Sequence, residues 1–289
     1  MAAFRPPALD GVGASRVQLR PGDGATYLDA LCARFPSVDR ATWASRFSRG
    51  RVLGGNGHAL DPQARLHTGG EVFYYREVID EPSCAGLETL LHVDDDIAVV
   101  DKPHGLAVMP AGGFVRDTLL ARLVRRLGID DIAPLHRIDR DTAGLVLFSL
   151  RARSRDAYAA LFRERRIRKR YEALAAPLPG VAFPVIRESR LVRGERFPAM
   201  REMEGVANAV SVVDVIERGD GVWRYALEPV TGRKHQLRLH MAGLGAPIVG
   251  DRLYGGACSD GPLKLVAKAV EFEDPLDGRA RVFSSALEL

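Results

Sequence analysis

The predicted strands in the last two thirds of the chain follow one another without a regular helix between each pair. Each is a short run of branched, aromatic or other apolar residues bounded by turn residues. The runs are residues 145–150, 171–175, 209–217, 223–230, 236–240 and 265–272. Because a parallel neighbour needs a long crossover connection, this order predicts an α+β fold on a mostly antiparallel mixed sheet with flanking helices.

The first 80 residues follow a different pattern. Leu28, Leu31 and Phe35 repeat at helical spacing, and residues 38–47 predict a second short helix that carries Trp43. Short strands joined by glycine turns follow. Residues 77–91 contain a proline and a glycine break and are typical of a linker. We therefore predict a small α/β domain over residues 1–80 and a large domain over residues 81–289.

Composition restricts the kind of protein this can be. With 289 residues, 46% of them hydrophobic and 27% charged, the chain can bury a sizeable core. No apolar run approaches the ~18 residues of a membrane span, and the N-terminus lacks the apolar centre of a signal peptide. Cys32, Cys84 and Cys258 form neither a paired framework nor a CxxC zinc pattern. We expect a soluble cytoplasmic protein without a membrane partner.

Positive charge is concentrated in one stretch. Residues 151–170 hold nine basic and two acidic residues, although the net charge of the whole chain is only +4. This concentration is typical of an element that contacts nucleic-acid phosphates, and a solvated helix face is the alternative. The candidate phosphate contacts are Arg163, Arg165, Arg166 and Lys169 here, with Arg40, Arg46 and Arg49 in the small domain.

Two strings carry the residues that indicate chemistry. Residues 134–150, PLHRIDRDTAGLVLFSL, place Asp139 between two arginines on a tight turn before a buried strand. Residues 232–255, GRKHQLRLHMAGLGAPIVGDRLYG, place arginines and a lysine at strand spacing before a glycine-rich loop. An aspartate near arginines is more often a salt-bridged turn than a catalytic group. Neither string alone therefore decides the function.

Together the strings resemble the RluA-like pseudouridine synthase family, whose signatures are an HR-aliphatic-D-xx-T-small-G turn and a GR-x-HQ-aliphatic-R strand. DDDIAVVDKPHGLAVMP, RKRYEALA and GDRLYG also match, in the family's order. Ile138, Ala143, Lys234 and Met109 depart from the commoner residues at positions of packing or RNA contact. The resemblance runs from about Leu91 onward and implies a bent sheet with an active cleft across its centre. The small domain resembles a ribosomal-protein-type RNA-binding module, with a structural cap as the alternative.

The resemblance implies an enzyme that isomerises uridine in structured RNA without a cofactor or metal. Asp139 is the implied nucleophile and Arg238 its cationic partner. Tyr171 is implied to pack on the target uracil and to remove the proton from ring carbon 5. A phenol with a pKa of ~10 is a poor base, so that second role needs burial or activation. Arg137 is implied to fill the space left by the flipped uridine, with a phosphate clamp as the alternative.

The remaining candidates for substrate binding are His136, Thr142, Arg233, Lys234, His235 and Gln236. We expect both histidines to act as hydrogen-bond partners in turns rather than as general bases. The expected partner is ribosomal RNA, with transfer RNA left open, and the expected state is a monomer. The alternative is a catalytically silent RNA-binding or ribosome-assembly factor, against which the intact Asp139, Tyr171 and Arg238 argue. No metal-ligand motif or dinucleotide fingerprint favours another chemistry.

Overall fold

A computed structural model describes residues 4–66, 69–78, 80–255 and 261–289. The chain forms two compact units, one of Met1–Pro82 with Pro110–Asp130 and the other of Ser83–Met109 with Asp131–Leu289. Residues 110–130 therefore belong to the first unit, although residues 83–109 of the second unit precede them in the chain. Cys258 lies outside the described residues.

Within its described residues, the first unit contains a three-stranded antiparallel sheet in the order β1-β3-β2 and three helices. Its elements are β1 Ser15–Leu19, α1 Tyr27–Arg34, α2 Arg40–Ser48, β2 Val52–Gly54, β3 Gly70–Tyr74 and α3 Leu119–Leu127. The two helices predicted before residue 50 are confirmed. Trp43 of α2 is fully buried, with its ring centroid 5.7 Å from that of Phe35 and 5.2 Å from that of Tyr74. The periodic apolar residues therefore form a core of their own.

The second unit is built on an eleven-stranded sheet in the order β10-β9-β11-β12-β8-β13-β7-β5-β4, with β14 beside β13 and β6 beside β7. The strands are β4 Thr89–Val93, β5 Ile97–Lys102, β6 Ala133–Pro134, β7 Ala143–Ser149, β8 Ile167–Ala175, β9 Val185–Arg193, β10 Met200–Met203, β11 Ala209–Arg218, β12 Trp223–Pro229, β13 Leu265–Glu273 and β14 Ala280–Ser284. The helices in the described residues of this unit are α4 Ala152–Arg163 and α5 Gln236–Gly243. β13 pairs with β7 in parallel and the other pairings are antiparallel, which confirms the predicted mixed sheet.

The prediction of a strand over residues 236–240 is wrong, because these residues begin helix α5. Their polar and apolar residues alternate, which is the pattern of a strand with one face in water. The polar members, however, are buried and hydrogen-bonded within the unit. Gln236 is 3% exposed, Arg238 4% and His240 0%. The alternation therefore reflects tertiary hydrogen bonds rather than a solvent-facing side.

Two apolar clusters hold the helices against the sheet. Tyr158 and Leu161 of α4 pack with Leu145 and Leu147 of β7. Leu237 and Met241 of α5 pack in a second cluster with apolar residues of β8, β11 and β12. This packing brings the first turn of α5 to the loop that precedes β7. None of the helices in the described ranges is long and apolar enough to span a bilayer.

Candidate active site

A cleft of about 550 Å³ lies in the second unit at the loop before β7, the start of β8 and the first turn of α5. It brings together most of the residues that the sequence indicated in three separate segments. Those that line it are His136, Arg137, Asp139, Thr142, Arg163, Arg165, Lys169, Tyr171, Arg233, His235, Gln236 and Arg238. The volume is that of a typical small-ligand site, so a nucleoside-sized group fits.

Arg238 joins two aspartates at the floor of the cleft. Its Nη1 donates to Oδ2 of Asp139 at 3.3 Å, while Nε and Nη2 donate to the two oxygens of Asp251 at 2.8 and 2.6 Å. Burial alone would lower the pKa of Arg238, but the hydrogen bonds and charge of Asp251, together with Asp139, raise it. The guanidinium is therefore a permanent cation whose orientation is set by Asp251.

His235 is a second neighbour of Asp139. It adopts a left-handed conformation with φ of 55°, and its Nε2 lies 3.8 Å from Oδ1 of Asp139. The hydroxyl of Tyr254 accepts the backbone N–H of Met200 and lies 2.7 Å from Nδ1 of His235. Burial lowers the pKa of His235, so its ring is neutral at neutral pH.

Tyr171 lies on β8 at the wall of the cleft. Burial, and then the negative charge of Asp139, raise its pKa above the ordinary value of ~10. Its phenol is therefore firmly protonated at neutral pH. Burial was one of the conditions expected to activate Tyr171 as a base. Here burial instead raises its pKa and so keeps the phenol from losing its proton.

The turn that carries Asp139 is stabilised from both sides. The backbone N–H of Thr142 donates to the carbonyl of Asp139 at 3.2 Å, and the Thr142 side chain is buried. His136 Nε2 accepts the backbone N–H of Leu147 at 3.1 Å, and its ring stacks on Phe162. Burial, and then the charge of Lys169, lower the pKa of His136 to about 3. His136 is thus a neutral acceptor that fixes the turn.

Lys102, at the end of β5, also stabilises the turn that carries Asp139. Its Nζ is fully buried and, in its ammonium form, donates to the carbonyl oxygens of Pro103, Leu106 and Arg140 at 2.8–2.9 Å. Arg140 is the residue next to Asp139 in the chain. Burial lowers the pKa of Lys102 to about 7, against the opposing pull of the Asp141 carboxylate.

The residues between β12 and α5 have distinct contacts. Gln236 lines the cleft, but its amide accepts from Thr231 and the Arg233 backbone and donates to Val210 and Ser211. These bonds leave it no free hydrogen-bonding atom for a substrate. Arg233 is exposed at the cleft and donates Nε to the carbonyl of Asn208. Lys234 points to the β9–β10 hairpin, where Nζ donates to the carbonyl of Pro198 at 2.8 Å.

The basic stretch over residues 151–170 divides into paired and unpaired residues. Arg163 pairs with Asp156 at 3.3 Å, and Arg166 pairs with Glu164 at 2.9 Å. Arg165 and Lys169 line the cleft, and neither has an ion-pair partner within the part of the chain that the structure describes. Arg165 also holds a φ of 58°, a conformation that favours glycine.

The predicted phosphate contacts of the first unit have acidic partners. Arg40 pairs with Asp29 at 2.8 Å, and Arg49 donates two hydrogen bonds to Glu77. Arg46 is only 5% exposed, and its guanidinium lies 4.8 Å from the centroid of the Trp43 ring. This burial differs from the surface position expected of a phosphate contact. Whether this unit contacts RNA stays a prediction.

Sequence reasoning assigned no role to Asp251 and Tyr254. Both lie in the GDRLYG segment, which provided a signal through its match to the family. Asp251 is fully buried and also accepts the backbone N–H groups of Leu253 and Tyr254. Within residues 4–66, 69–78, 80–255 and 261–289, no group of three or more His, Cys, Asp or Glu side chains is placed to hold a metal ion.

Comparisons with known proteins agree on one family. The model of the RNA pseudouridylate synthase family matches residues 96–243. An uncharacterised RNA pseudouridine synthase of Synechocystis is 32% identical over 79% of this chain and 79% of its own length. The ribosomal large subunit pseudouridine synthase D of Pseudomonas aeruginosa is 30% identical over 81% of this chain and 75% of its own.

A shorter match is closer in sequence. The dual-specificity RNA pseudouridine synthase RluA of Pasteurella multocida is 34% identical over 57% of this chain and 76% of its own length. Among solved structures, human RNA pseudouridylate synthase domain containing 1 has a TM-score of 0.60 at 24% identity and covers 72% of this chain and 86% of its own. That likeness supports the same fold.

Proposed function

Because this chain belongs to the RNA pseudouridylate synthase family as an RluA-like enzyme, we propose that it converts specific uridines of ribosomal RNA to pseudouridine with Asp139 as the nucleophile. One observation carries the assignment of the nucleophile. Asp139 lies in the cleft with its side chain 24% exposed, 3.3 Å from the fixed guanidinium of Arg238. A carboxylate that a substrate can reach, beside a permanent cation, is the arrangement this chemistry requires.

The reaction conserves all atoms of the nucleotide. The bond between ribose carbon 1′ and uracil N1 breaks, the base turns, and a new bond joins carbon 1′ to ring carbon 5. The proton of carbon 5 is released and N1 gains one. Asp139 supplies the negative charge for breaking the first bond, and Arg238 holds that carboxylate in position.

In this proposal Tyr171, which lines the cleft, packs on the uracil. Its raised pKa means that removal of the carbon 5 proton requires a change in its surroundings once the base has entered. Arg137 is exposed at the edge of the cleft. When RNA enters, this side chain lies close to the space that the flipped nucleotide leaves.

Ribosomal RNA is the preferred substrate in this proposal for two reasons. The P. aeruginosa relative is named for the large ribosomal subunit, and its match extends over most of both chains. The first unit also has the helices and short strands expected of an accessory RNA-binding module. The proposal includes a cytoplasmic monomer that needs neither cofactor nor metal.

The test of substrate is to map pseudouridines in ribosomal and transfer RNA from a strain that lacks this gene, beside its parent. We expect specific ribosomal sites to be lost in the deletion strain. The wild-type gene should restore them, and a gene encoding Asp139→Asn should not. Loss of pseudouridine sites in transfer RNA alone would identify transfer RNA, rather than ribosomal RNA, as the substrate. Restoration by Asp139→Asn would support the silent RNA-binding factor instead.

A further inference from the structure

The hairpin between β9 and β10 presents an aromatic ring to solvent. Arg193 pairs with Met200, which leaves residues 194–199 as the tip of the hairpin. Phe197 in this tip is 90% exposed. A single exposed apolar side chain has no meaning by itself, so the surroundings of the ring decide what it indicates.

Lys234 fixes this ring near the active site. Its Nζ lies 4.8 Å from the centroid of the Phe197 ring and donates to the carbonyl of Pro198. Lys234 directly precedes His235, whose Nε2 is 3.8 Å from Asp139. The other end of the hairpin is also attached, because the N–H of Met200 donates to the hydroxyl that contacts His235. The exposed ring is therefore anchored to the loop that borders the candidate nucleophile.

The charge around the ring is positive. Arg193 and Arg196 are exposed, and neither has an ion-pair partner within the described ranges. With Lys234 they make three cations, against Glu195 as the only acidic residue of the tip. An aromatic ring among unneutralised cations is the combination that single-stranded nucleic acids bind, the ring on a base and the cations on phosphates.

We propose that Phe197 stacks on a base of the substrate RNA adjacent to the uridine that enters the cleft, while Arg193 and Arg196 contact the neighbouring phosphates. Extraction of one nucleotide leaves its neighbour without a stacking partner, and the anchored ring supplies one at the mouth of the site. This inference rests on the proposed function. It adds the residue that holds the flanking nucleotide.

The first experiment compares Phe197→Ala with Val206→Ala, a matched change at another side chain that is 90% exposed. The probe is an unmodified transcript of large-subunit ribosomal RNA with tritium at carbon 5 of uracil, and the readouts are KM and the salt dependence of binding. We expect Phe197→Ala to raise KM by ~5- to 150-fold, the equivalent of ~1–3 kcal/mol for one stacked base. The salt slope should not change, because no phosphate contact is lost.

Val206→Ala should behave as wild type. If the wild-type enzyme is active and the KM of Phe197→Ala stays within about twofold of its value, the inference is overturned. The exposed ring would then be assigned to contact with a protein partner. A wild-type enzyme that forms no pseudouridine would instead refute the proposed function. The two failures are therefore distinguishable.

The second experiment replaces the ring with a fluorescent one. The native Trp43 and Trp223 are 0% and 9% exposed, so the exposed indole of Phe197→Trp dominates any change in emission. Stacking on a base should quench that emission when the same transcript is added, and KM should stay near the wild-type value. Binding of the transcript without any change in emission would contradict the stacking.

Discussion

Arg238 binds Asp251 more closely than Asp139. The nearest contacts are 2.6 Å to Asp251 and 3.3 Å to Asp139. Asp251 is fully buried and occupies two nitrogens of the guanidinium, which leaves Nη1 for the candidate nucleophile. The orientation of the candidate catalytic pair thus depends on a residue that does not line the cleft.

Replacing Asp251 by asparagine should lower turnover without a matching loss of RNA affinity. The amide keeps the shape of the carboxylate but loses the charge that holds the guanidinium, and a displacement of about 1 Å at a reacting group can cost roughly 100-fold. Kinetics of tritium release, read beside thermal unfolding, measure the effect. Arg238→Lys is the comparison variant for the other side of this contact, because a lysine ammonium cannot bind Asp251 through two parallel hydrogen bonds. Wild-type turnover in Asp251→Asn would show that Arg238 is positioned by other contacts.

Tyr171→Phe should keep RNA affinity and lose product formation. The phenylalanine ring packs as the tyrosine does, but it has no hydroxyl to take part in removing the carbon 5 proton. We expect slow tritium release together with a stalled RNA adduct, visible on a denaturing gel. Turnover at the wild-type rate would restrict Tyr171 to packing.

Arg165 and Lys169 should account for more of the salt dependence of RNA binding than Arg163 and Arg166. The first two line the cleft without ion-pair partners in the described part of the chain, whereas the other two are paired with Asp156 and Glu164. Arg165→Gln with Lys169→Gln should reduce the logarithmic salt slope by ~1.4, or ~0.7 for each lost phosphate contact. The control double variant, Arg163→Gln with Arg166→Gln, should change it less. Equal slopes for both variants would refute this division.

Lys102 should make stability rise with pH above neutrality. Its pKa is lowered to about 7 in the folded protein from an ordinary value of ~10.4. Between these two pH values the unfolded chain holds a proton that the folded protein has lost. The free energy of unfolding therefore rises with pH across this window, and the gain is lost as pH drops to about 7. Denaturant unfolding of wild type and Lys102→Met, at several pH values from about 7 to about 10, measures this. A constant difference between the two proteins would contradict the shift.

The sequence predicted the elements whose patterns are local. The strands at residues 145–150 and 171–175 lie close to where apolar runs placed them. Helix α5 was missed because its buried polar residues alternate with apolar ones as in a half-exposed strand. Only the tertiary hydrogen bonds of these polar residues distinguish the helix from a strand. The roles of Asp251 and Tyr254 were missed for the same reason, since a contact between distant residues leaves no periodic signal.

The burial of Arg46 could not be predicted either. A basic residue in a basic run is expected in water, but this one covers Trp43 and lies 4.0 Å from Glu77. The partner is 31 positions away in the numbering, beyond the reach of any local pattern.

Tritium release by the Asp139→Asn variant tests the central claim most directly. The transcript with tritium at carbon 5 of uracil is incubated with wild type and variant, in chelator and without any added cofactor, and RNA affinity is measured in parallel. We predict release by the wild type and none above background by Asp139→Asn, with similar affinity for both proteins, because the change removes a nucleophile and no phosphate contact. Release by the variant at the wild-type rate would show that Asp139 is not the nucleophile.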